Sequence, residues 1–257
     1  MHNNSKTKSA HKSLTCEGKV AIVTGAAGGG MGRSIALTLA HEGARVVVNY
    51  RTSQESAQAI VAQIANTGGS AIAVPADVFT ADGCKCLVDA TMMQYGQVDI
   101  CIIGPGGGWH PEAIEQLAVE TALEDIHSET APLLYMLPLV LPGMYVRRWG
   151  RLIGIATHPN KLSPAYAYNT GKLARLHALL LAQDQAWSHG VTVNVIAPGP
   201  VNALPSLDAA IKQSQHRAAW QKRRNVSPQD IAEGVSFLCS EAGRYITGCV
   251  LPYLPKW

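Results

Sequence analysis

Lys19-Val20-Ala21-Ile22-Val23-Thr24-Gly25-Ala26-Ala27-Gly28-Gly29-Gly30-Met31-Gly32-Arg33 is the stretch on which the fold turns. Its first six residues are a short apolar, β-branched run of the kind that forms a strand buried on both faces. From Arg33 to His41 the spacing is helical, and Gly43 stands where a helix commonly ends. Between strand and helix lie five glycines, which allow positive φ and let backbone N–H groups approach an anion at the positive end of the helix. A glycine cluster opening a helix directly after a strand is the pattern of a dinucleotide-binding turn.

The same alternation continues along the chain. Strands are expected at Arg45–Asn49, Ala71–Pro75, Asp99–Ile103, Gly150–Ala156 and Val191–Ala197, with a short last strand beginning at Val250. Between them, Thr52 and Glu55 read as a capping box opening a helix through about Asn66. Further helices are expected at about Thr80–Tyr95, Ala167–Ser188 and Pro228–Cys239, with a Pro/Gly-rich loop from Gly104 to Pro111 and then a long helical region with internal prolines. Such βα alternation predicts a doubly wound α/β fold, a Rossmann-type parallel sheet with helices on both faces. No repeat or linker divides the chain. Residues 1–16 read as a loose tail, and 17–257 as one domain that includes the loop and helices at about 200–226 on its substrate side.

Composition narrows the function. Of 257 residues 47% are hydrophobic and 15% charged, which excludes disorder. Lys6, Lys8 and Lys12 account for the net charge of +3, and the rest of the chain balances 18 basic against 18 acidic residues. That balance offers no basic face for nucleic acid or an anionic membrane. The richest apolar segment, Leu133–Val146, is interrupted by Pro138 and Pro142, so no membrane span is expected. Six cysteines without CxxC spacing suit a reducing cytoplasm, and the nine histidines show no metal-ligand spacing, so no metal is expected.

Five segments carry a family resemblance: the glycine loop, Asp77-Val78, Tyr168-Asn169-Thr170-Gly171-Lys172, Asn194 to Val201 (Asn-Val-Ile-Ala-Pro-Gly-Pro-Val), and Tyr245-Ile246-Thr247-Gly248. From about Gly18 to Leu251 the chain resembles the short-chain dehydrogenase/reductases. Within that family Val48-Asn49-Tyr50-Arg51-Thr52-Ser53 and Pro228-Gln229-Asp230-Ile231-Ala232 look most like the 3-oxoacyl carrier-protein reductases. The resemblance implies an enzyme that moves hydride between a nicotinamide cofactor and a carbonyl or secondary alcohol. It also implies cofactor contacts at Gly25, Gly29, Gly30, Met31, Gly32, Asn49, Tyr50, Arg51, Thr52, Asp77, Val78, Gly104, Pro105, Gly106, Lys172, Pro198, Gly199 and Val201. No acid stands at the end of the second strand to hold a ribose 2′-hydroxyl, while Arg51, Thr52 and Ser53 suit a 2′-phosphate. NADP(H) is therefore expected over NAD(H).

Tyr168 and Lys172, at i and i+4, share a helix face, and the nearby ammonium together with the positive ring of an oxidised nicotinamide is expected to pull the phenol down from its ordinary value of about 10. The resemblance makes Tyr168 the general acid and Lys172 its partner and a holder of the nicotinamide ribose. It makes Thr157 the donor to the substrate oxygen, with Ser163 as the alternative because the gap to Tyr168 is shorter than usual. The family's Asn-Asn-Ala-Gly is here Ile103-Gly104-Pro105-Gly106, and its catalytic asparagine falls on Glu129, beside His127 and Ser128. Glu129 either holds a water near Lys172 or marks lost activity, which leaves a nucleotide-binding sensor or structural subunit as the alternative function. Lys212–Arg224, with Lys212, His216, Arg217, Lys222, Arg223 and Arg224, reads as a solvated face or as a substrate lid whose cations meet a phosphopantetheine or an acidic carrier. Apolar surplus on the helices from about Ala122 and Ala167 suggests a homodimer or homotetramer.

Overall fold

The computed structural model describes residues 15–107, 109–158, 165–215 and 223–255. The strands are β1 (Val20–Val23), β2 (Arg45–Tyr50), β3 (Ser70–Pro75), β4 (Ile100–Ile103), β5 (Gly150–Ile155), β6 (Val191–Pro198) and β7 (Val250–Tyr253). The helices are α1 (Met31–His41), α2 (Gln54–Asn66), α3 (Ala81–Tyr95), α4 (Val119–Arg147), α5 (Tyr166–Trp187), α6 (Leu207–Gln215) and α7 (Pro228–Cys239). All pairs in the sheet are parallel and the order is β3-β2-β1-β4-β5-β6-β7. The chain winds outward in both directions from the β1/β4 boundary, so a crevice opens there at the carboxyl ends of the strands.

Side-chain alternation explains the two layers. Ala21, Val23, Val46 and Val48 point to one face, where Ile35 and Leu39 of α1, Ile60 and Ile64 of α2, and Ile231 and Val235 of α7 cover them. Ile22, Val47, Cys101 and Ile103 point to the other, under Leu87 of α3, Leu133, Met136 and Val140 of α4, and Leu176 and Leu179 of α5. Both faces are covered, as the unbroken apolar strands required.

One local expectation is corrected. The second helix starts at Gln54 with Ser53 as its N-cap and no capping side chain, because β2 runs on to Tyr50 and the Thr52 carbonyl accepts from the Gln54 N–H at 3.1 Å. The long proline-containing region is helical as expected, a single helix, α4, of 29 residues that holds Pro132, Pro138 and Pro142 inside it.

Candidate active site

The loop between β1 and α1 is shaped from below by Asn49. Its side-chain oxygen accepts the Gly25 N–H at 3.0 Å, and its amide donates to the Ala76 carbonyl at 3.0 Å. Gly25 sits at φ 62°, and a Cβ there would lie 2.7 Å from Pro105 Cγ. A side chain would thus be strained and would collide with the turn after β4. Gly30 is the N-cap of α1 without a capping side chain, and among the described residues no atom lies within 4 Å of where its Cβ would be. The first N–H groups of α1 therefore face an open cradle that a β-carbon would begin to fill, and it fits a pyrophosphate. Gly29 accepts the Leu204 N–H at 2.9 Å, and Gly32 packs on Gly25.

Of the other residues expected to touch a cofactor, Asn49 is 2% exposed with its amide engaged internally, and Tyr50 packs into the core. Asn49 supports the loop from beneath. Arg51 is exposed, 3.9 Å from Asp77 and stacked near the Phe79 ring, with Thr52 exposed beside it. Asp77 accepts the Phe79 N–H at 3.0 Å, and Val78 is buried. Pro198 ends β6, Gly199 donates to the Tyr253 carbonyl at 2.7 Å, and Val201 pairs with Val226.

The turn after β4 lacks the two amides of the resembled pattern, and two other groups take over its backbone. Thr24 Oγ1 accepts the Gly104 N–H at 3.0 Å while donating to the Ile102 carbonyl at 2.9 Å. Arg175 donates to the Gly104 and Pro105 carbonyls at 3.3 and 2.5 Å. Gly106 lies directly beneath the Glu129 carboxylate.

Tyr168 and Lys172 come together as the i, i+4 spacing requires, with Lys172 Nζ 5.4 Å from the centre of the Tyr168 ring. Glu129 of α4 is wholly buried and contacts Lys172 Nζ at 3.0 Å and Arg175 Nη2 at 3.3 Å. Burial, and then Arg175, lower the Lys172 ammonium to about 8 even though Glu129 acts to raise it. In the chain without its cofactor the ammonium alone does not acidify the phenol. Burial raises Tyr168, the Glu129 charge raises it further, and Arg175 acts in the opposite direction. The physical reason is first that burial penalises the phenolate, and then that the Glu129 carboxylate stands close by, against the same ammonium.

Thr157 is buried just past the end of β5, and Ser163 lies outside the described residues. In the segment read as a lid, Lys212 lies in the last turn of α6, and Arg223 forks onto Asp230 at 2.5 and 2.8 Å; residues 216–222 lie outside the described ones. His110 pairs with Asp125 at 2.8 Å. Sequence reasoning missed Arg175. The available signal was a cation three residues beyond Lys172 on the stripe that also carries Leu176 and Leu179. A cavity of about 950 Å³ lies away from all of this, lined by Thr38, His41, Gln63 and Gln229 among others.

Residues 25–253 match the family model described as enoyl-(acyl carrier protein) reductase. An uncharacterized oxidoreductase of Methylorubrum extorquens is 35% identical, covering 91% of this chain and 96% of that one. The 3-oxoacyl-[acyl-carrier-protein] reductase of Staphylococcus aureus is 31% identical over 90% of this chain and 94% of its own. A solved structure of 7α-hydroxysteroid dehydrogenase with NADH and 7-oxoglycochenodeoxycholic acid superposes with a TM-score of 0.80 at 28% identity, covering 93% and 94% of the two chains.

Proposed function

The chain belongs to the short-chain dehydrogenase/reductase family, and from that premise we propose that it is an NADP(H)-dependent oxidoreductase interconverting a carbonyl and a secondary alcohol, with 3-oxoacyl thioesters as the first substrate class to test. The observation that carries the reading is Tyr168 one helical turn from a buried Lys172, beside the carboxyl ends of β4 and β5. A bound nicotinamide supplies the hydride. The chain's own residues handle the oxygen: Tyr168 donates its proton, Thr157 donates a second hydrogen bond, and Lys172 stabilises the phenolate until solvent returns the proton. A phenol raised above its ordinary value is fully protonated at neutral pH, which suits the acid of the reductive direction. Preference for the 2′-phosphate rests on Arg51, an exposed cation whose contact with Asp77 is long enough to be exchanged for a phosphate.

One observation favours a second reading, a nucleotide-binding member without turnover: Glu129 already occupies the ammonium of Lys172. Two further supports concern setting. Leu123 and Leu134 on α4 and Leu181 on α5 remain exposed, which suits a homodimer or homotetramer built on those helices. Six cysteines without a disulfide suit the cytoplasm, and among the described residues no helix is long and apolar enough to cross a membrane.

The discriminating experiment titrates NADPH and NADH by fluorescence, then follows nucleotide oxidation with 3-oxoacyl thioesters, keto-steroids and quinones. Tighter NADPH binding with oxidation by one of these classes is expected. Binding without turnover across all of them overturns the enzymatic reading, and tighter NADH binding overturns the cofactor assignment.

A further inference from the structure

Arg175 is wholly buried, and every nitrogen of its guanidinium is engaged. Nε donates to the Glu129 carbonyl at 2.6 Å, Nη1 to the Ile155 and Gly104 carbonyls at 3.0 and 3.3 Å, and Nη2 to the Pro105 carbonyl at 2.5 Å. One side chain on α5 thus ties α4, the end of β5 and the turn after β4 to one another. A guanidinium so far from water requires a counter-charge, and the Glu129 carboxylate supplies it at 3.3 Å.

Room for that carboxylate is made by two glycines in different segments. A Cβ at Gly106 would lie 2.1 Å from Glu129 Oε2, and one at Gly171 would lie 2.6 Å from Glu129 Cβ. Gly106, Glu129, Gly171 and Arg175 therefore fit one another as a set. Their charges also close: the carboxylate and the guanidinium cancel, so the cluster with Lys172 keeps the single positive charge of the lysine alone.

We propose that Arg175 is a positioning residue of the reaction, which clamps the Gly104–Pro105 turn, holds the Glu129 carboxylate against Lys172, and by cancelling that carboxylate preserves the net positive charge beside Tyr168. This rests on the reading of Tyr168 as the proton donor. The groups facing the carboxylate are Lys172, Arg175 and Tyr168 from α5. One turn earlier on α4 stands Asp125, paired with His110. Gly104 to Gly107 add backbone only, and the end of β5 adds the Ile155 carbonyl and Thr157.

The signs are opposite and can be measured. Glu129 raises the Tyr168 phenol and Arg175 lowers it, so Glu129→Gln shifts its titration to lower pH and Arg175→Met shifts it to higher pH. The two shifts are opposite in direction, and the double variant returns near the wild type. The readout is a carbon-13 NMR titration of cofactor-free protein labelled at tyrosine Cζ, with Tyr168 assigned by Tyr168→Phe. A residue that merely fills space would shift neither titration, or both in the same direction, and either result overturns the proposal.

If Arg175→Met does not fold, Arg175→Lys serves in its place. It keeps the charge and loses the fork, so its phenol must titrate with the wild type while the turn loosens in hydrogen exchange. Wild-type Tyr168 must itself titrate above free tyrosine, and a value at or below about 10 overturns the proposal without any variant. Because neither cofactor nor substrate is present, the two readings fail separately. Opposite shifts in a chain that reduces no carbonyl leave the charge set standing and overturn the oxidoreductase reading. Absent shifts in an active chain overturn only the role of Arg175.

Discussion

Gly106→Ala would place a methyl group 2.1, 2.2 and 2.4 Å from Glu129 Oε2, Oε1 and Cδ. Gly106 has no positive φ, so on backbone grounds alone alanine should stabilise by about 0.4–1 kcal/mol through the unfolded chain. Packing decides otherwise. Ordinary contact requires the carboxylate to retreat by roughly 1 Å, and the glycine-lined floor and α5 leave it nowhere to go except away from its cations. Opening the contacts of 3.0 Å to Lys172 and 3.3 Å to Arg175 by that amount loses about 2.5 kcal/mol in all at an effective dielectric of ~20. The net cost is about 2 kcal/mol, a fall in Tm of roughly 4–8 °C for a chain of this size. Thermal unfolding followed by circular dichroism, with a urea titration at neutral pH, measures it. An unchanged or raised Tm would refute the placement of Glu129 over this turn.

Gly30→Ala should leave Tm within about 1 °C, because nothing surrounds its Cβ, yet weaken NADPH binding measurably by fluorescence titration; equal affinity would remove the cradle. Arg51→Ala should raise the Kd for NADPH by roughly 10-fold or more and leave NADH within about 2-fold, and equal losses for both nucleotides would exclude recognition of the 2′-phosphate. For Asp230, burial alone would raise the carboxyl, but hydrogen bonds from Arg223 and Ser227 prevail and hold it at about 2, below its ordinary 3.8. That stabilisation is present above pH 4 and is lost as pH falls toward 2. With its side chain 29% exposed, Asp230→Ala should cost about 1 kcal/mol near neutral pH and progressively less below pH 4 in urea unfolding. A cost independent of pH would contradict the charge assignment.

The strands and most helices were legible because β1, β4 and β5 are buried on both faces and read as unbroken apolar runs. The glycine loop was legible because strand, glycines and helix lie together in the chain. The region of α4 was read as helical, but what keeps it unbroken lies in contacts between distant segments. Each proline inside α4 costs about 3 kcal/mol, an effect visible in the sequence. The opposing burial of Leu133, Met136, Val140 and Met144, at about 1.5–3 kcal/mol each, is visible only once α4 is seen packed on the sheet. Tyr168 shows the same limit in chemistry. Its pairing with Lys172 follows from spacing on one helix, but the upward direction of its pKa comes first from burial in the fold and then from Glu129, 39 positions away in sequence on another helix. Arg175 escaped notice because a lone cation in an amphipathic helix reads as surface until its carbonyl partners on α4, β5 and the turn after β4 are known.

The central claim is that Tyr168 protonates the substrate oxygen while hydride arrives at carbon. Single-turnover oxidation of bound NADPH by a 3-oxoacyl thioester, compared between the wild type and Tyr168→Phe, tests it most directly. The account predicts an unchanged Kd for NADPH and a rate lower by roughly 100- to 10,000-fold in the variant. A Tyr168→Phe enzyme that oxidises NADPH at the wild-type rate would contradict it.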